Sequence, residues 1–135
     1  MLLHRAKNEV MLDHIIISVS DLPRSITFYK KALLPLGITH YVDYEGENGH
    51  ADLKGFGRPG NAFFWLKKGT PSPTAVHFGF VGKNRAEVDA FYREAIAAGG
   101  RDNGAPEPCL EYDPGYYAGY VLDPDGYNVE AVYKE

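Results

Sequence analysis

Leu12–Gly37 reads LDHIIISVSDLPRSITFYKKALLPLG, and Ala75–Gly100 reads AVHFGFVGKNRAEVDAFYREAIAAGG. Set one above the other at an ungapped offset of 63 residues, His14 meets His77, Phe28 meets Phe91, Tyr29 meets Tyr92, Ala32 meets Ala95 and Gly37 meets Gly100. Aromatic pairs, glycines and a histidine sharing one register point to two copies of one supersecondary unit.

Each copy opens with a strand pattern. Side chains alternate with period two, so Ile15, Ile17 and Val19 share one face while His14, Ile16 and Ser18 share the other. In the second copy Phe78 and Phe80 oppose His77, Gly79 and Val81. A helix follows in each. Leu22, Ile26, Tyr29 and Leu33 make an apolar stripe, Asp21 is placed to cap it, and Pro23 suits a first turn that needs no amide donor. The second helix has Asn84 and Glu87 at capping-box spacing, a stripe of Val88, Phe91, Ala95 and Ala98, and Gly99-Gly100 at its end.

Short strand-like runs come next, at roughly 38–45, 50–56 and 61–67 in the first copy and 108–112, 116–122 and 127–133 in the second. Asp123-Pro124-Asp125-Gly126 is a strong turn signal between the last two. The expected class is α+β, two βαβββ modules forming a curved mixed sheet around a cavity. Residues 1–10 read as a polar lead-in, 11–68 as module one, 69–73 as linker and 74–135 as module two of a single domain.

With the apolar faces under the helices, His14 and His77 face the cavity as pseudo-symmetric partners. Alternation along the last strand puts Glu130 with Asn128 and Val132, opposite Val129 and Ala131. A carboxylate in an apolar strand is costly to bury unless it meets a cation. His14, His77 and Glu130 form a two-histidine, one-carboxylate set, which suits Fe, Mn, Zn, Co or Ni and leaves coordination positions for substrate. Tyr120 lies on the adjoining strand with Ala118 and Leu122 as same-face neighbours, so its hydroxyl is expected to be the only polar group that strand offers the cavity; it either donates a hydrogen bond or a proton there, or only packs its ring. Ile16, Phe63, Trp65 and Asn128 are the expected pocket residues, with Trp65 as an aromatic wall or as filler.

The balance of the chain fits this picture. A net charge of −4 with no basic cluster argues against nucleic acid, and no apolar run approaches a membrane span. The single cysteine, Cys109, excludes an intrachain disulfide and a cysteine zinc site, and is read as a bystander. Tyr112, Tyr116 and Tyr117 suggest a cavity mouth, a dimer contact or plain packing. A cytoplasmic protein is expected.

Leu12-Asp13-His14 with SVSDLPRSITFY, His77-Phe78-Gly79-Phe80 and LDPDGYNVEAVY together resemble the vicinal oxygen chelate superfamily, over essentially the whole domain. That superfamily includes glyoxalase I, extradiol dioxygenases, fosfomycin-modifying thiol transferases and metal-free bleomycin-binding proteins. The resemblance implies metal ligands on the first and last strands of each unit: His14, position 65, His77 and Glu130. It also implies a homodimer. Glyoxalase I-like members carry a glutamate where this chain has Trp65. Thiol transferase-like members have a hydroxyl residue where it has Ile16, and a basic segment beyond the last strand. Dioxygenase-like members share the tyrosine at Tyr120 but have a further histidine without a counterpart near Ala62. The expectation is therefore a metal-dependent enzyme acting on a small oxygen-bearing organic molecule (a lyase, isomerase, dioxygenase or thiol transferase), or else a metal-free binding protein of the bleomycin-resistance type.

Overall fold

The computed structural model describes residues 11–135. The expected lead-in over 1–10, with His4, lies outside the described residues.

The first unit runs β1 (Ile15–Val19), α1 (Leu22–Leu33), a 3-10 turn (Leu34–Leu36), β2 (Thr39–Tyr44), β3 (Leu53–Arg58) and β4 (Asn61–Lys68). The second runs β5 (His77–Val81), α2 (Arg85–Ala97), β6 (Arg101–Asp102), β7 (Glu107–Pro108), β8 (Tyr116–Leu122) and β9 (Asn128–Lys134). The strand orders are β1-β4-β3-β2 and β5-β9-β8-β6, with β7 also on β8. Each sheet is mixed, because only β1/β4 and β5/β9 are parallel. The α+β class and the paired modules are those expected from the repeat.

The local signals act as physical caps. The Asp21 carboxylate accepts from the Arg24 amide at 3.1 Å, and the Asn84 side chain from the Glu87 amide at 2.8 Å. Glu87 reaches back to the Lys83 amide at 2.9 Å, one residue earlier than the reciprocal capping box expected. Gly37 ends the 3-10 turn at φ 77°, left-handed backbone that favours glycine.

Three sequence expectations need correction. The third strand of the first unit starts at Leu53, three residues later than expected. Residues before it form a turn in which the His50 amide meets the Glu47 carbonyl and the Asp52 carboxylate takes the Gly46 amide. The run 108–112 is not a strand: past Pro108, Cys109 to Asp113 turn on themselves, the Tyr112 amide bonding the Cys109 carbonyl at 3.1 Å. Arg101–Asp102 pairs with β8 instead, without a sequence signal. The buried side of α1 is centred on Ser25, Phe28, Tyr29, Ala32 and Leu33, whereas Leu22 and Ile26 are only partly buried.

Both helix-covered sheet faces feed one core, in which Phe64 meets Phe78 and Phe80 at ring-centroid distances of 5.2 Å and α1 packs on α2. A polar lock joins the units. The Tyr29 hydroxyl donates to Asp123 Oδ2 at 2.5 Å, and Asp123 Oδ1 accepts the Asp125 and Tyr127 amides at 2.9 Å each. The Tyr127 hydroxyl donates to the Ser18 carbonyl at 2.7 Å. The turn read in the sequence is thus also a tertiary joint, and it fixes the β8–β9 hairpin against the first unit. No helix among the described residues is long and apolar enough to cross a membrane.

Candidate functional site

Register decides which residues are true counterparts. On the first sheet Ile16 pairs with Trp65, and on the second Gly79 pairs with Glu130. Ile16 and Gly79 are repeat partners, so Trp65 occupies the position that Glu130 holds in the second unit. The indole lies across Gly55, its partner on β3, where a Cβ would come within 2.7 Å of the ring. Glycine there is what lets the tryptophan lie flat on the sheet.

On the second sheet, β5 and β9 bring His77 and Glu130 together: Nε2 lies 2.9 Å from Glu130 Oε1. The other ring nitrogen of His77, Nδ1, is 3.0 Å from the Asn128 carbonyl. A carbonyl can only accept, so Nδ1 carries a proton and Nε2 is directed at the carboxylate. Glu130 is 5% exposed despite its charge. Its Oε2 accepts a short hydrogen bond from the Tyr116 hydroxyl. The Tyr120 ring stacks beside His77 at 6.2 Å and lies opposite Glu130 in the ladder. Burial, and next the bond to Glu130, raise the Tyr116 phenol well above its ordinary range; burial and the Glu130 charge do the same for Tyr120. Both hydroxyls are therefore hydrogen-bond donors throughout the neutral range.

The expectation that Tyr120 is the only polar group of its strand on this face is corrected by Tyr116. Alternation did place Tyr116 on that face, and it was the available signal. Tyr117 points the other way, donating to Asp89 at 2.7 Å beneath Arg85. Cys109 is buried, and burial raises its thiol, with Tyr120 opposing as a hydrogen-bond partner. That environment favours the protonated thiol.

His14 stands apart. Its Nδ1 meets Asp13 Oδ1 at 2.7 Å. With His77 and Phe63 it lines a groove of about 730 Å³ between the units, floored by Phe64, Phe78 and Phe80. Glu130, Asn128, Tyr120, Trp65 and Ile16 do not line that groove; Ile16 borders a shallower depression with Tyr44 and Lys67. Among the described residues, no three His, Cys, Asp or Glu side chains gather as a metal-holding group. Ile16 and Val81, on the outer sheet faces, stand 42% and 73% exposed.

The donor set nonetheless fits two ligands of a divalent transition ion. A metal-binding imidazole characteristically gives its second N–H to a carbonyl or carboxylate, as His77 does, and the neighbouring ligand is itself hydrogen-bonded, as Glu130 is.

Paired βαβββ units with an imidazole and a buried carboxylate side by side define a duplicated fold with a metal-capable outer face. The chain belongs to the Glyoxalase/Bleomycin resistance protein/Dioxygenase superfamily, whose family model matches residues 11–131. Among solved structures it is similar to a glyoxalase/bleomycin resistance protein from Albidiferax ferrireducens T118, at 25% identity and TM-score 0.75 over 93% of this chain and 100% of the other. It is also similar to a glyoxylase/bleomycin resistance protein/dioxygenase domain from Frankia sp. EAN1pec, at 18% identity and TM-score 0.71 over 94% and 93%. Glyoxalase I from Zea mays shares the fold at 19% identity and TM-score 0.67, over 90% of this chain but 43% of that one. No curated protein matches the chain in sequence.

Proposed function

We propose that this chain is a metal-dependent enzyme acting on a small oxygen-bearing organic molecule, with His14, His77 and Glu130 as the metal ligands. The supporting observation is the pairing of His77 Nε2 with the buried Glu130 carboxylate, the imidazole being held from behind by the Asn128 carbonyl. A nitrogen lone pair and a carboxylate oxygen facing each other at 2.9 Å need a proton or a cation between them. A bound Fe, Mn, Zn, Co or Ni ion would supply Lewis acidity to vicinal substrate oxygens. The reaction class is a lyase, isomerase, dioxygenase or thiol transferase. Tyr120 donates a hydrogen bond to a substrate oxygen. Trp65, Ile16 and Phe63 line the pocket as an apolar wall, and Asn128 orients His77.

Residues 11–135 act as one domain, modules 11–68 and 74–135 being joined by 69–73, in a cytoplasmic homodimer. Among the described residues no three ligands gather within one chain, and in the proposed dimer His14 of one copy joins His77 and Glu130 of another. This arrangement accounts for the exposure of Ile16 and Val81.

A specific observation favours a second reading, a metal-free small-molecule binder. Asp13 already engages His14, and both Glu130 oxygens already have partners. The test is metal analysis of untagged protein from cells grown with added Fe, Mn, Zn and Ni, beside His77→Ala and Glu130→Gln. Near-stoichiometric metal in the wild type, lost in both variants, is the expected result. Trace metal in all three gives the chain to the second reading.

A further inference from the structure

We propose that Tyr116 is a positioning residue that restricts Glu130 to presenting a single oxygen, Oε1, toward the ion; this rests on the metal-centre reading above. The two oxygens of this carboxylate are not equivalent. Oε1 faces His77, whereas Oε2 is taken by the Tyr116 hydroxyl.

The register makes that contact unusual. Tyr116 pairs with Lys134 and Glu130 with Tyr120, so the two residues lie four positions apart along the ladder, about 13 Å in an extended strand. A phenol spans that gap only when laid lengthwise on the sheet. Between them the ladder pairs Ala118 with Val132, and Ala118 is fully buried and small enough to leave the path clear.

The ring is held where it lies. Tyr112 packs at 5.1 Å, Lys134 Nζ sits 5.6 Å from the ring centroid, and the backbone exchanges hydrogen bonds with Asp113 at 3.0 Å and Cys109 at 2.7 Å. A carboxylate so anchored cannot swing or chelate through both oxygens, and the phenol's hydrogen bond draws electron density from the oxygen left to bind. Tyr116 thereby sets both the geometry and the donor strength of a ligand it never replaces.

The experiment compares wild type, Tyr116→Phe, Tyr112→Phe, Ala118→Leu and His77→Ala, read by Co(II) absorption and by competition with a chromophoric chelator. Tyr116→Phe keeps the ring and loses only the donor. It is expected to bind Co(II) at unchanged stoichiometry, roughly 10- to 100-fold more weakly, with a shifted absorption envelope. Ala118→Leu, which blocks the path and leaves the hydroxyl intact, is expected to weaken binding in the same way, and Tyr112→Phe to match wild type. Wild-type affinity and spectrum in Tyr116→Phe, with binding lost in His77→Ala, overturns this inference and leaves the metal centre standing. Binding that His77→Ala leaves intact, or none in wild type, overturns both.

Discussion

Tyr29→Phe tests whether the polar lock between the units is a working joint. The hydroxyl is buried and donates at 2.5 Å to Asp123 Oδ2, an atom for which no other partner stands within hydrogen-bonding reach in the joint described above. Asp123 is itself 1% exposed. A hydrogen bond to a buried charged group contributes about 2–3 kcal/mol. At roughly 4 °C per kcal/mol for a domain of this size, the melting temperature falls by about 8–12 °C. The deficit depends on pH. Burial raises the Asp123 pKa above its ordinary 3.8, against the opposing hydrogen bonds from Tyr29 and the Tyr127 and Asp125 amides. A carboxyl whose folded pKa is raised contributes stability that is present below its unfolded pKa and lost as pH rises through the folded one. Removing the Tyr29 donor raises that pKa further and enlarges the loss. Urea unfolding of both proteins from pH 3.5 to 7.5 is therefore expected to show a gap that widens toward neutrality. A variant as stable as wild type, or a gap indifferent to pH, would refute the reasoning.

Gly55→Ala places a Cβ within 2.7 Å of the Trp65 ring and should push the only tryptophan of the chain off its sheet. Red-shifted emission and a loss of about 1–2 kcal/mol are expected, and an unchanged spectrum would mean the indole is not seated across Gly55. Mixing His14→Ala with Glu130→Gln chains under conditions of subunit exchange should recover about a quarter of the wild-type metal. Half of the dimers in such a mixture are hybrids, and each hybrid has one repaired site of two. No recovery in a mixture shown to have exchanged argues against ligands drawn from two chains.

The repeat made most of the fold legible, because equivalent aromatics and glycines mark equivalent packing positions. Tyr116–Leu122 falls where alternation and the Asp123–Gly126 turn placed it. The two-residue strands β6 and β7 carry no such pattern: a pairing that short has no periodicity, and prolines at 106 and 108 interrupt the run. Side-chain reach was the other blind spot. Alternation puts Tyr116 on the face of Glu130, but only the twisted sheet shows that a phenol can run along it for four residues. Asp123 reads locally as a turn former, and nothing near it in sequence announces a partner 94 residues away. The burial of Glu130 is legible in the sequence, because a carboxylate among Val129, Ala131 and Val132 has a desolvation cost that calls for a partner, and the structure buries it with His77 and Tyr116 as partners.

Equivalent rows of the two sheets have diverged in chemistry. One runs Ile16–Trp65–Gly55–Val42, apolar throughout, with a glycine that makes room for a flat indole. Its counterpart runs Gly79–Glu130–Tyr120, a carboxylate beside a phenol, with the glycine now on the first strand, where a Cβ would sit 3.4 Å from Glu130 Oε1. Only in the first row is the glycine required by space: a Cβ at Gly55 would clash with the indole at 2.7 Å, whereas one at Gly79 would make ordinary contact with Glu130. Duplication thus produced one face suited to shape and another suited to charge. A molecule held between them would meet an aromatic wall on one side and donors on the other. His14 stands just before the first strand of the wall's sheet and the His77–Glu130 pair on the other sheet, and in the dimer proposed above the wall of one copy would cover the charged face of the next and bring the three side chains to one point.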